Sequence, residues 1–141
     1  MAAKDECETL MRDMLPFARS MLREYGEFHP FGGTMSQAGR IRHVGVESGL
    51  EFPEGAAVRS ILLRTFQAEA AELQATAIVC DVRIAPPGEE RPRDAIQVEL
   101  DHRDGYSARV FFPYLLSAAG DLSTEPPFAC QGDGVIFRGA R

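Results

Sequence analysis

An α+β domain with a mostly antiparallel sheet follows from three features of this 141-residue sequence. Apolar residues recur at three- and four-residue steps over two long stretches, the period of a helix with one buried face. They alternate with polar residues over several shorter stretches, the period of a strand. Tight turns join neighbouring alternating stretches, which makes those strands antiparallel. The resulting order is helix, strand, strand, helix, strand, strand, strand. It predicts a sheet of about five strands with both helices on one face, and the length predicts a single domain spanning residues 1–141.

The first helix is expected from about Asp5 to Tyr25. Cys7, Leu10, Met11, Met14, Phe17, Ala18, Met21, Leu22 and Tyr25 form its stripe, and Gly26 supplies a left-handed C-cap. Pro16 lies inside it and removes a backbone donor, which predicts a kink or break near Leu15. Phe31 to Ser36 and Arg40 to Val46 read as short strands around Gln37-Ala38-Gly39, with Gly32-Gly33 marking a bulge or a close backbone approach. Gly49 to Glu54 is a connector whose Pro53 is suited to open a second helix, Pro53 to Gln74. Val58, Leu62, Phe66, Ala70 and Leu73 line one face of that helix, while Arg64, Gln67 and Glu72 point away. Thr76 to Ala85 is a strand with Ile78, Cys80, Val82 and Ile84 on one side, and a second side that is only partly polar. A charged loop, Pro86 to Arg93, precedes the hairpin. Beyond Leu116 the periodicity ends. SAAGDLSTEPPFACQGDG reads as irregular, with a short last strand at Val135 to Arg138.

The hairpin, Ala95 to Tyr114, specifies its own register. A two-residue turn at Asp104-Gly105 would set Leu100 against Arg109 and mix polar with apolar on both faces. A three-residue loop of Arg103, Asp104 and a left-handed Gly105 instead pairs Leu100 with Ala108, Val98 with Val110 and Ile96 with Phe112. Glu99 then opposes Arg109, an opposite-charge pair worth roughly 0.2–1 kcal/mol. A slip of one residue would exchange the two faces.

A net charge of −6 and a pI near 5.1 argue against a nucleic-acid partner, which needs a basic footprint. Cys7, Cys80 and Cys130 are odd in number, with no metal-knuckle spacing. The N-terminal MAAKDECETLMRDM lacks the apolar run of a signal peptide, and no apolar segment is long enough to span a bilayer. A cytoplasmic protein with reduced thiols and no membrane partner is therefore expected.

LREYGEFHPFGG, the glycine-bearing turn after it, AIVCDVRI and AIQVELDHRDG together resemble a family of small uncharacterised bacterial α+β proteins. The resemblance implies a compact bacterial domain and carries no activity, cofactor or site residue. By element order alone the chain also resembles profilin-like and roadblock-like domains and secretion chaperones, folds that host unrelated functions.

Nucleophile-elbow, paired-cysteine and dinucleotide-glycine motifs are absent from the sequence, so a non-enzymatic reading leads and no cofactor is expected. The leading expectation is a protein-interaction domain (accessory, chaperone-like or immunity-type) whose partner is another protein or a second copy. Its contact surface would be a sheet-face patch of Val79, Glu99, Arg109 and Phe111. In a competing arrangement the C-terminal segment, with Pro127 and Phe128, folds over that patch. The alternative function is a small-molecule or metal site at the Gly32-Gly33 bend, using His29 and His43 with Asp81 or Glu47. Glu99 and Asp101 share a strand face while His102 points to the other, which argues against an acid/base group there. Cys80, mid-strand, reads as a buried inert thiol, and Cys130 as the accessible one.

Overall fold

The computed structural model describes residues 2–46 and 54–138. The connector from Gly49 through Pro53, and Glu47, lie outside these residues. The described elements are α1 (Ala3–Tyr25), β1 (Phe31–Ser36), β2 (Ile41–Val44), α2 (Gly55–Glu69), β3 (Leu73–Ile84), β4 (Arg93–His102), β5 (Ser107–Leu116), β6 (Leu122–Thr124) and β7 (Phe128–Gln131). The fold is α+β, as expected, with a seven-stranded antiparallel sheet in place of about five strands. The order across the sheet is β2-β1-β3-β4-β5-β6, and β7 also pairs with β5. No helix among the described residues is long and apolar enough to cross a membrane.

The hairpin has the expected register. Leu100 faces Ala108, Val98 faces Val110, Ile96 faces Phe112 and Glu99 faces Arg109. Gly105 takes φ 101°, the left-handed conformation that closes the three-residue loop. The His102 N–H donates to the Tyr106 carbonyl at 2.8 Å, and the Gly105 N–H to the His102 carbonyl at 2.9 Å.

The two helices do not share a face of the sheet, contrary to expectation. Cys7, Leu10, Met14, Ala18 and Leu22 of α1 pack with Ala75, Ala77, Val79, Val98 and Leu100. Val58, Leu62 and Phe66 of α2 pack with Ile78 and Cys80, which lie between those residues in sequence and so point the other way. β3 is buried on both faces and correspondingly apolar on both. Gly32 and Gly33 sit where the helices come nearest to β1. A Cβ at Gly32 would lie 2.7 Å from the Ala77 carbonyl oxygen and 2.8 Å from the Phe66 ring. A Cβ at Gly33 would lie 2.4 Å from the Met14 sulfur. The glycine pair is thus a close approach on both sides, not a bulge.

Pro16 does not break α1, which is continuous. Pro16 and Arg12, whose carbonyl loses its donor, are both exposed, so the freed carbonyl is not buried without a partner. The second helix ends at Glu69, followed by a 3-10 turn at Ala70–Glu72, and β3 takes up the chain from Leu73, earlier than expected. Leu122–Thr124 and Phe128–Gln131 are strands within the segment expected to be irregular. Val135 to Arg138 is not a strand; Ile136 and Phe137 instead close the core beneath α2.

Substituting the two glycines should give unequal losses. Gly32→Ala meets backbone and a rigid ring, so it should cost about 1–3 kcal/mol, the range for overpacking a dense core. Gly33→Ala meets the flexible end of Met14 and should cost less. Urea denaturation of the two variants checks both the size and the order.

Candidate functional site

The face of β4 and β5 that carries Glu99 and Arg109 is closed. Arg59 of α2 reaches it with a bidentate pair, Nε to Glu99 Oε2 at 2.7 Å and Nη2 to Glu99 Oε1 at 2.6 Å. Arg109 Nε stands 3.8 Å from the same carboxylate, and its Nη2 donates to Asp133 in the segment after β7. The Glu99 side chain is only 12% exposed. Phe111 is 4% exposed and stacks on Phe128 with centroids 5.0 Å apart. Val79 lies on the opposite face, fully buried beneath α1. The four residues expected to form an open patch are therefore split between two faces and covered, the C-terminal segment taking the outer one. Arg59 keeps the guanidinium geometry that a buried carboxylate requires, and Glu99 holds the Arg59 pKa raised.

Beside this network, burial pushes the Asp101 carboxyl up to about 6, against a hydrogen bond from Ser107 that favours the charged form. His102, on the other face, is held from both ring nitrogens. The Asp104 N–H donates to Nδ1 at 3.0 Å, which places the proton on Nε2 and directs it to Glu6 Oε1 at 3.0 Å. That hydrogen bond is the main cause of the lowered Glu6 pKa. His102 thus ties the hairpin loop to α1, a structural task.

The ligand or metal residues expected at the glycine bend do not converge. Gly32 and Gly33 are covered by the helices. His43, on edge strand β2, pairs through Nε2 with Asp13 Oδ2 of α1 at 2.8 Å. On the other side of β2, Arg42 pairs with Glu69 of α2 at 3.0 Å. The described residues contain no group of three His, Cys, Asp or Glu side chains placed to hold a metal ion.

His29 lines a different space. A cavity of about 470 Å³ opens between the Glu27–Pro30 segment, the start of α2, Cys80–Val82 of β3 and Gln97 of β4. Phe28, Pro30, Ala56 and Val82 form its apolar wall. Glu27, His29, Arg59, Asp81 and Gln97 supply the polar groups, with Cys80 at the same wall. Asp81 fixes the geometry: its Oδ1 accepts the Tyr114 hydroxyl at 2.6 Å, and it also accepts a backbone hydrogen bond from Phe28. Burial raises the Asp81 pKa in spite of those bonds. The Tyr114 pKa is raised by burial and by its Asp81 acceptor, so the hydroxyl stays a donor. Burial likewise pushes the Cys80 thiol up to about 12, which keeps it protonated and poorly nucleophilic. Among the described residues, no side chain caps the N-terminus of α2 at Glu54, and no acidic residue stands in its first turn. Gly55 and Ala56, in the first turn of α2, line the same wall. In the sequence, Arg59 was the available pointer, a charge flanking the buried Val58-Leu62-Phe66 stripe; Gln97 and Phe28 carried none.

No family model, curated protein or solved structure matches the chain.

Asp101 gives the molecule a pH dependence with a definite sign. Its folded pKa lies above the unfolded value, so the native state binds the extra proton. The contribution to stability falls as pH rises from about 4 to about 6, and the penalty is complete above that. Asp101→Asn removes the charge. It should raise stability at pH 7 by about 1–3 kcal/mol, have little effect at pH 4, and flatten the slope between. Denaturant titrations at the two pH values measure both.

Proposed function

We propose that this chain is a small-molecule-binding domain whose ligand occupies the cavity at the N-terminus of α2. The observation that carries the reading is the cavity itself. Its volume, about 470 Å³, falls within the range of small-ligand sites, and polar and apolar groups share its wall. The protein-contact reading relied on an open Glu99–Arg109 face, and that face is occupied by Arg59 and the C-terminal segment. The metal version relied on His29 meeting His43, and His43 is engaged by Asp13.

The wall describes the ligand. Phe28, Pro30 and Val82 suit an apolar body, and Gln97 and His29 suit a polar head that accepts hydrogen bonds. Arg59 is already neutralised by Glu99, and Glu27 and Asp81 add negative charge, so a strongly anionic ligand is disfavoured. Three free cysteines, two of them buried, suit a reducing compartment and so a cytoplasmic location.

A thermal-shift screen with neutral, polar-headed small molecules tests the reading. A ligand at a hundredfold excess over its Kd adds about 2.7 kcal/mol, a shift of several degrees. Ala56→Trp, at an exposed position on the cavity wall, should leave the unliganded melting temperature nearly unchanged and abolish the shift. A hit that stabilises the Ala56→Trp protein equally binds elsewhere and contradicts the proposal, as does a broad library without any hit.

A further inference from the structure

Among the described residues no strand pairs with the outer edge of β7, and its backbone pattern follows residue by residue. The Gly132 N–H donates to the Ser107 carbonyl at 3.1 Å, which makes Ser107 and Gly132 a hydrogen-bonded antiparallel pair. Such pairs alternate along a ladder. With Arg109 facing Cys130 and Phe111 facing Phe128, Cys130 and Phe128 also direct their N–H and C=O groups inward to β5. The other side of β5 agrees. The His102 N–H donates to Tyr106, so Leu100–Ala108 and Val98–Val110 are the pairs bonded across β4 and β5. Ala129 and Gln131 consequently aim their N–H and C=O groups outward.

The edges at β2 and β7 differ in protection. β2 carries Arg42 next to Arg40, cationic side chains of the kind that keep edge strands from pairing with their own copies. β7 is Phe-Ala-Cys-Gln, without any charge, and its three later residues are exposed. Pro126 and Pro127 end the free ladder on one side, which confines pairing to these four residues.

We propose that β7 pairs antiparallel with β7 of a second copy of this chain, about a two-fold axis through Cys130. In that register Ala129 of each chain meets Gln131 of the other, and all the outward N–H and C=O groups of Ala129 and Gln131 are satisfied, four hydrogen bonds in total. Phe128 lies opposite Gly132, which has no side chain to obstruct the ring. Cys130 stands opposite its own copy in a non-hydrogen-bonded pair, where Cα atoms lie about 4.5 Å apart, inside the disulfide range. Self-complementarity of the ladder, together with the lack of repelling charge, selects a second copy as occupant. The inference is independent of the cavity and its ligand. A contact of this length makes a weak dimer, populated with rising concentration.

Oxidative trapping and light scattering test it together. Diamide takes two protons and two electrons from a thiol pair, becoming a hydrazine and leaving a disulfide. At micromolar protein it should link Cys130 to Cys130 at least tenfold faster than it links a Ser20→Cys, Cys130→Ser variant, whose exposed thiol lies on α1. Size-exclusion chromatography with light scattering should show the mass rising from 15.5 kDa toward twice that value with concentration. Ala129→Pro removes a donor that points away from β5, so it should keep the melting temperature while weakening the dimer at least tenfold. Cys130→Ser should lose the cross-link and keep the concentration-dependent mass. A monomer at every concentration overturns the proposal, and so does trapping no faster than the α1 control. A dimer that Ala129→Pro leaves intact places the contact elsewhere and overturns it equally.

Discussion

The contact on which this fold depends is made where two side chains are missing. Gly32 and Gly33 let Phe66 of α2 and Met14 of α1 reach the same strand from opposite sides, at distances that a methyl group would close. Because β1 is thin there, both helices settle onto the sheet and two apolar cores form, one on each face of β3. Everything of functional interest is placed by that arrangement. α2 covers the outer face, brings Arg59 to Glu99, and sets its own first turn beside the Glu27–Pro30 segment to make the cavity wall.

How much of this was legible depended on the range of the signal. The β4–β5 hairpin was fully legible because its register is fixed locally, by period-2 alternation and the Glu99–Arg109 pair across one turn. Its two-sided cover was written less openly. β3 has Ile78 and Cys80 on one face and Ala77 and Val79 on the other, and a strand apolar on both faces must be covered on both. That second face, only partly polar in sequence, was the available warning against placing both helices together. β6 and β7 have three and four residues, too few for alternation to stand out beside Pro126-Pro127. The candidate site was legible at His29 and Asp81, the two residues of the ligand alternative that line the cavity. Arg59 and Glu99 are 40 residues apart in sequence, and neither announces the other.

The buried charges show why the expected contact surface is instead interior. Glu99 is an acidic residue on a strand face, a pattern that ordinarily means solvent. Here α2 covers it, and a carboxylate removed from water needs a partner that satisfies both oxygens, which the Arg59 guanidinium does. Asp101, two residues along on the same face, has no bidentate partner among the described residues, and burial raises its pKa. The face is therefore built with one carboxylate matched and one strained.

The two-sided approach at the glycine pair can be read directly by proton NMR on the unmodified protein. A nuclear Overhauser effect should connect the Gly33 α protons to the Met14 methyl, and another should connect the Gly32 α protons to the Phe66 ring. Finding both on their separate helices establishes the sandwiched sheet. Absence of either contact, or Met14 and Phe66 meeting each other across a single face, would contradict it and remove the cavity along with the fold that forms it.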